Sequence, residues 1–203
     1  MKYIYLHGLG QTPDSWNRVL GYRNTSTDNI CPDLAKLVHG REAKYSDLYA
    51  AFSALCDTIE DDLTLCGLSL GSVLALNYAI DHPERVKALV LIAPQYKMPR
   101  TLLKLQNLLF HFMPKSAFSQ TGFQKADFIR LCHSMAELDF SRSLRKVTCP
   151  TLILCGEHDR ANQKAARMLA CLLKNAQFQL VPGAGHEVNT DAPEALAKAL
   201  HEN

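Results

Sequence analysis

The clearest chemical signal in this sequence is a serine between glycines, in the segment Gly-Leu-Ser-Leu-Gly at residues 67–71. An apolar run, Leu63–Cys66, precedes it, and a helical pattern extends from Ser69 to about Ile80. A serine between a strand and a helix must lie on a very tight turn, so the residues two before and two after it must be small. The segment therefore predicts a strand–turn–helix that presents Ser69 as a nucleophile.

A serine hydroxyl is a poor nucleophile until a base takes its proton, and the base is most often a histidine. Of the eight histidines, His186 has the best position, because it lies in a glycine-rich segment directly after the apolar run Phe178–Val181. Open α/β sheets place their ligands at the carboxyl ends of the strands, and Ser69 also follows a strand. We therefore expect His186 to be the base, with His158 as a minor alternative.

The imidazole of such a base needs an acceptor on its other ring nitrogen, which fixes the tautomer and stabilises the cation. Asp159 follows the apolar run Thr151–Cys155 and would lie at the same edge of the sheet. Glu157, two residues earlier, could take this role if the turn were rotated. The expected catalytic residues are therefore Ser69, Asp159 and His186, in that order along the chain.

The elements that must position these residues follow from the rest of the sequence. Short, almost continuous apolar runs alternate with longer helical patterns, which favours a mostly parallel sheet with helices on both faces. Strands are expected at Tyr3–Leu6, Ile30–Cys31, Leu63–Cys66, Ala88–Ile92, Thr151–Cys155 and Phe178–Val181. The region from Met98 to about Val147 carries only helical patterns. We expect one domain, residues 1–203, with a cap or lid insertion at about 98–147.

In the type and order of its motifs, the sequence resembles the α/β-hydrolase superfamily. The likeness rests on four segments, at residues 7–10, 67–71, 156–159 and 183–186, and on the order Ser, Asp, His. It implies the α/β-hydrolase fold and an oxyanion hole formed by the backbone N–H groups of Leu9 and Leu70. Superfamily members usually have two further strands before the loop at residues 7–10, so about six strands are expected here. Without those two strands one edge of the sheet would be exposed, and a partner subunit could cover that edge.

The resemblance and the three candidate residues together suggest a carboxylesterase that forms an acyl-enzyme on Ser69. The same three residues also serve C–C bond hydrolases and small-acid lyases, and the fold occurs in non-catalytic ligand-binding proteins. Trp16, Leu68 and Tyr96 are the side chains expected to contact the substrate. The apolar stretch at residues 102–113 would either line the pocket as a lid or pack against the core.

The composition limits the partners of this chain. Its 203 residues are 47% hydrophobic and 21% charged, and the net charge is +2. No block of Lys and Arg stands out and no apolar run is long enough to span a membrane, so neither nucleic acid nor stable membrane association is expected. No secretory signal is evident, which leans towards the cytoplasm. No C-x-x-C or His/Cys cluster occurs, so we expect reduced cysteines, no metal and no cofactor, in a monomer or homodimer.

Overall fold

The computed structural model describes residues 1–23, 29–100, 103, 108, 110–118 and 121–201. Within these residues, six strands form one sheet in the order β2-β1-β3-β4-β5-β6, and every pairing is parallel. The strands are β1 (Lys2–Leu6), β2 (Asn29–Ile30), β3 (Leu63–Leu68), β4 (Val86–Ile92), β5 (Thr151–Gly156) and β6 (Ala176–Val181). The predicted sheet of about six strands is confirmed.

Helices cover both faces of this sheet. They are α1 (Asn17–Arg23), α2 (Leu34–Leu37), α3 (Tyr45–Asp57), α4 (Leu70–Asp81), α5 (Lys125–Met135), α6 (Arg160–Leu172), α7 (Val188–Asp191) and α8 (Pro193–His201). Short 3-10 turns occur at Pro13–Trp16, Lys115–Phe118 and Leu144–Lys146. No helix in the described ranges combines the length and the apolar character needed to cross a membrane.

Strands β3 and β5 are buried along their whole length, because helices pack against both faces of the sheet. Alternate residues of a strand face opposite sides. Leu65 accordingly packs in the cluster under α3, α4 and α6, whereas its neighbour Cys66 packs in the cluster under α1 and α8. Packing against these two clusters fixes the position of the sheet and therefore of the carboxyl ends of its strands.

The insertion at about 98–147 packs against the main core. Its helix α5 buries Phe128, Leu131 and Met135, and the rings of Phe118 and Phe128 meet edge to face with centroids 4.7 Å apart. The apolar stretch at residues 102–113 is described only at 103, 108 and 110–113. Of these, Leu103 and Phe110 pack against the core, while Leu108 and Phe112 are exposed. The organisation as one domain with a cap stays a prediction.

Candidate active site

Ser69 lies on a strained turn between β3 and α4. Its φ is +52°, in a region that residues other than glycine rarely occupy. A Cβ atom at Gly67 would lie 2.2 Å from the carbonyl oxygen of Gly71, and one at Gly71 would lie 2.2 Å from that of Leu6. Side chains at these two positions would therefore overlap the backbone, which is the physical reason for the glycine spacing. The turn holds the half-buried Ser69 at the carboxyl edge of the sheet.

His186 and Asp159 are in direct contact, although 27 positions separate them in the chain. Nδ1 of His186 lies 2.7 Å from Oδ2 of Asp159, and Asp159 is only 7% exposed. Glu157, the alternative acid, instead accepts a hydrogen bond from the backbone N–H of Gly183 at 2.9 Å. Of these two carboxylates, Asp159 is the one that can orient the imidazole.

The surroundings of Asp159 favour its charged form. Burial acts to raise the pKa of this carboxyl, but hydrogen bonds from His186 and Asn162 outweigh it and hold the pKa below its ordinary value. Asp159 is therefore ionised at neutral pH. In that form it accepts the Nδ1–H of His186 and stabilises a positive charge on the ring.

Asn162 and Gln95 extend this hydrogen-bond chain, and sequence analysis missed both. Nδ2 of Asn162 lies 2.9 Å from each carboxylate oxygen of Asp159, and its Oδ1 accepts a hydrogen bond from Nε2 of Gln95 at 2.7 Å. Asn162 is in the first turn of α6, three residues after Asp159. That spacing, in which an amide can bond back to the residue before a helix, is the one local signal that pointed to it.

The two backbone N–H groups expected to form an oxyanion hole belong to Leu9 and Leu70. Leu70 is the first residue of α4, so its N–H has no partner within the helix, and the helix N-terminus favours negative charge. Neither N–H donates to another described residue. Both residues line the same cavity as Ser69.

A buried pair of amides holds the loop that contains Leu9. Oε1 of Gln11 accepts from the backbone N–H of Gly8 at 3.2 Å and from Nδ2 of Asn189 at 3.1 Å. Nε2 of Gln11 donates to Oδ1 of Asn189 at 3.0 Å. Because Asn189 follows His186 by three residues, this pair joins the loop after β1 to the loop of the histidine. Sequence analysis missed it, since Gln11 lies in a loop, where polar residues are common, and Asn189 lies in the short helix α7.

Ser69, Asp159 and His186 all line one cavity of about 410 Å³. The hydroxyl of Ser69 makes no hydrogen bond with His186 or with any other described residue. In ligand-free active sites the bond between nucleophile and base is often long and tightens only when substrate binds. The arrangement thus brings together a strained serine, an oriented imidazole and two residues whose backbone N–H groups have no partner in the described part of the chain.

The rest of the cavity wall is mostly apolar. The insertion contributes part of it, through Leu103, Cys132 and Met135, and the serine helix contributes Val73. No Lys or Arg occurs among the described residues that line the cavity. In the same described part of the chain, no three His, Cys, Asp or Glu side chains group closely enough to hold a metal ion.

Trp16, Leu68 and Tyr96, expected to contact the substrate, are not on this cavity wall. Trp16 is fully buried against Tyr5, with ring centroids 5.3 Å apart, and Leu68 is buried in the same cluster. Tyr96 lines a neighbouring surface recess. The large apolar side chains of Trp16 and Leu68 are part of the core and do not face the cavity. We therefore assign no substrate contact to Trp16, Leu68 or Tyr96.

The amino-acid sequence is similar to those of several known proteins. A sequence model of the alpha/beta hydrolase family matches residues 4–199. A pimeloyl-[acyl-carrier protein] methyl ester esterase from Aromatoleum aromaticum is 37% identical over 90 residues, which cover 44% of this chain and 35% of the esterase. A monoacylglycerol lipase from Xenopus laevis is 22% identical, over 97% of this chain and 73% of the lipase. The chain spans about a third of the esterase's length and 65% of that of a hydrolase from Klebsiella pneumoniae.

Solved structures share the fold over almost the whole chain. The enol-lactonase from Burkholderia xenovorans LB400 superposes with a TM-score of 0.86 at 15% identity, over 99% of this chain and 90% of the lactonase. A thermophilic esterase from Thermogutta terrifontis superposes with a TM-score of 0.78 at 19% identity, over 100% of this chain and 88% of the esterase. At these identities the likeness shows the fold alone.

Proposed function

Because the chain belongs to the alpha/beta hydrolase family, we propose that it is a serine hydrolase that cleaves a carboxylic ester of a small molecule. Ser69 is the nucleophile, His186 the base and Asp159 the acid that orients the base. The supporting observation is the 2.7 Å contact between Asp159 and His186, in the same cavity as the strained Ser69 turn.

In the first half of the reaction, Oγ of Ser69 attacks the ester carbonyl while His186 takes the hydroxyl proton. The carbonyl oxygen becomes an oxyanion and accepts hydrogen bonds from the N–H groups of Leu9 and Leu70. One such donor is typically worth about 10²–10³ in rate. When the carbonyl re-forms, the bond to the leaving alcohol breaks and His186 gives that alcohol its proton.

In the second half, water attacks the acyl group on Ser69 and His186 takes the water proton. The tetrahedral intermediate then expels Oγ of Ser69, which recovers its proton from His186. The sum of both halves is ester plus water to carboxylic acid plus alcohol. The negative charge of Asp159 stabilises the imidazolium in each half.

The cavity wall supports an uncharged acyl group as substrate. A charged group that enters an apolar cavity without a partner loses its hydration, and the described wall offers no Lys or Arg. The volume of about 410 Å³ lies within the range of about 300–1,000 Å³ that is typical of small-molecule sites. An apolar ester therefore fits this site better than the carboxylated substrate of a small-acid lyase.

A panel of p-nitrophenyl esters from acetate to octanoate tests this proposal. We expect turnover with a burst of one p-nitrophenol per enzyme, and a loss of about 10⁴-fold or more in kcat for Ser69→Ala and His186→Gln. His158→Gln is the matched control, because His158 is exposed beside Asp159 and should retain nearly full activity.

Three results would contradict the esterase proposal. Full activity of Ser69→Ala would exclude Ser69 as the nucleophile. Cleavage of a β-diketone without cleavage of any ester would indicate a C–C bond hydrolase. An absence of turnover together with an absence of labelling by a fluorophosphonate would indicate a non-catalytic ligand-binding protein.

A further inference from the structure

Arg23, the last residue of α1, is a buried cation outside the serine site. Its side chain is 7% exposed. Nη1 donates a hydrogen bond to the hydroxyl of Tyr5, and the guanidinium lies over the ring of Tyr3, 4.9 Å from its centroid. Nε has no hydrogen-bond partner. Both aromatic partners are neutral, so these contacts leave the charge of Arg23 unbalanced.

No other described residue balances this charge. None of the ion pairs between described residues includes Arg23. Tyr5, which bonds to Arg23, interacts electrostatically with the thiols of Cys66 and Cys31, and burial raises the pKa of Tyr5 and of Cys66 well above their ordinary values and that of Cys31 to about 11. All three are neutral at neutral pH. Within the part of the chain that the structure describes, Arg23 therefore lacks a counter-ion, and a buried charge without a partner is strongly unfavourable.

A cavity of about 250 Å³ lies beside Arg23, on the face of the sheet that carries α1 and α8. The strand register places a row of its lining residues side by side across the sheet: Tyr5, Cys66, Val90 and Leu152. Three members of this row are apolar. None of the residues that line this cavity lines the cavity of Ser69, so the two are separate.

Two residues that line this cavity carry hydroxyl groups whose protons have no acceptor among the described residues. Thr64 lines the cavity, and its buried hydroxyl has no hydrogen-bond partner among the described residues. The hydroxyl oxygen of Tyr5 accepts from Arg23, which leaves its own proton free to be donated. Buried polar groups in proteins nearly always have partners, so the residues that line the cavity combine a cation with donors that have no partner among the described residues.

We propose that this cavity binds a small organic carboxylate, which pairs with Arg23 and packs its hydrocarbon part against Val90 and Leu152. Arg23 is the one Lys or Arg side chain among the described residues that line the cavity. The terminal ammonium of Met1, which also lines the cavity, is paired with Asp61 at 3.0 Å, so one unpaired cation remains in the described lining, and it matches a monocarboxylate better than a phosphate dianion. The apolar row across the sheet matches a hydrocarbon body, and a planar guanidinium is well suited to a carboxylate.

Hexanoate is the probe that tests this proposal, and Trp16 is a built-in reporter. Trp16 is the single tryptophan of the chain, and its ring centroid lies 5.3 Å from that of Tyr5. We expect hexanoate to change Trp16 fluorescence saturably. In amide NMR spectra, hexanoate should shift the signals of Thr64 and Val90 and leave those of Leu70 and Ala161, which line the serine cavity, in place.

Matched probes and variants distinguish the contribution of the carboxylate charge to binding affinity from that of the hydrocarbon chain. Hexanol and hexylamine lack the negative charge and should bind the unmodified protein more weakly than hexanoate does, by about tenfold or more. Hexanoate should bind Arg23→Met more weakly by a similar factor. In each case the charge-assisted hydrogen bond between the carboxylate and Arg23 is lost. Arg23→Lys should retain part of the affinity. Thr64→Val, which removes a hydroxyl at nearly constant volume, should weaken binding several-fold. If Arg23→Met does not fold, Ala88→Leu fills the cavity and should abolish binding.

Three outcomes overturn the proposal. In the first, hexanoate shifts only Leu70 and Ala161, which places it in the serine cavity. In the second, Arg23→Met or Ala88→Leu binds hexanoate as well as the unmodified protein does. In the third, inorganic phosphate binds and hexanoate does not. None of these readouts depends on esterase activity, so this proposal and the proposed function can fail separately.

Discussion

Gln11 and Asn189, 178 positions apart in the chain, exchange two hydrogen bonds between their buried side-chain amides, at 3.0 and 3.1 Å. Gln11 also accepts from the backbone N–H of Gly8, next to Leu9 of the proposed oxyanion hole, and Asn189 follows His186 by three residues. The pair therefore couples the position of an oxyanion donor to that of the proposed base. Neither amide faces the substrate cavity, so both are positioning residues.

Gln11→Ala and Asn189→Ala test this coupling. We expect each to lower the free energy of unfolding by about 1–3 kcal/mol, because the remaining amide is left buried without its partner. Each should lower kcat about tenfold with little change in KM, because geometry is lost at the reacting atoms. The double variant should lose little more than the worse single one. Urea unfolding and ester kinetics measure these effects.

Asn175→Ala is the control for the amide pair. Asn175 also donates a side-chain hydrogen bond, to the backbone of Thr148 at 2.7 Å, but away from the serine cavity, and its loss should leave kcat unchanged. Strictly additive losses in Gln11→Ala and Asn189→Ala would show that the two amides act independently.

Asp159→Asn tests which carboxylate serves His186. An amide at this position can hold the ring in the wrong tautomer and cannot stabilise its positive charge, so we expect kcat to fall by about 10³–10⁴-fold. Glu157→Gln is the matched control in the same loop, since its side-chain oxygen can still accept from the N–H of Gly183. Steady-state kinetics on one ester suffices, and equal losses in both variants would contradict the assignment of Asp159.

Asn162→Ala removes the hydrogen bonds that Asn162 donates to both oxygens of Asp159. Without them the pKa of Asp159 should move back up, and kcat should fall about tenfold at unchanged KM. Asn162→Asp should be worse, because a second negative charge beside Asp159 raises the carboxyl pKa further. The exposed Lys164→Ala is the control. A drop in substrate affinity alone would indicate instead that Asn162 contacts the substrate.

The buried His7 predicts a pH-dependent stability. Its Nδ1 lies 2.9 Å from the carbonyl oxygen of Gly8, and its Nε2 accepts from the N–H of Leu34 at 3.2 Å, so the neutral ring carries its proton on Nδ1. Burial lowers the pKa of His7, and the unfolded chain therefore binds the second ring proton, which forms the imidazolium, more readily than the folded protein does. Its stabilising contribution is complete above the ordinary imidazole value of about 6.5 and is lost as pH falls through the lower folded value.

His7→Gln isolates this effect, because an amide at position 7 does not titrate. Urea midpoints measured from pH 8 to pH 5 should fall more steeply for the unmodified protein than for His7→Gln. Parallel curves for the two proteins would show that His7 does not titrate between these pH values.

Two glycine substitutions should have opposite effects on stability. A Cβ atom at Gly156 would lie 1.9 Å from the carbonyl oxygen of Gly185, so Gly156→Ala must push apart the loops that carry Asp159 and His186. We expect a large loss of stability and a kcat lower by about 100-fold or more.

Gly21 lies inside α1, and a Cβ atom added at this position would have no neighbouring atom within 4 Å. Gly21→Ala should stabilise the protein by about 0.5–1 kcal/mol. Thermal unfolding and kinetics compare the two, and a neutral Gly156→Ala would contradict the close approach of the loops.

Much of the architecture could be predicted from the sequence because its causes are local. The tight turn at Ser69 needs glycines two positions away on either side, and that requirement is visible in the spacing itself. Continuous apolar runs such as Ala88–Ile92 are typical of a parallel sheet that is buried on both faces. The parallel sheet then places the segments that follow its strands at one edge, so Ser69, Asp159 and His186 were expected to lie together.

Tertiary structure alone decided the contacts between distant segments. The choice of Asp159 over Glu157 beside His186 depends on how two loops rotate against each other, and local sequence does not encode that rotation. The pairing of Gln11 with Asn189, and the lack of a counter-ion for Arg23 among the described residues, depend on chain packing across the sheet. Trp16 shows the same limit, because an apolar side chain is equally suited to a pocket wall and to a core. Short-range sterics set the elements of this protein, and long-range packing set the partners of its side chains.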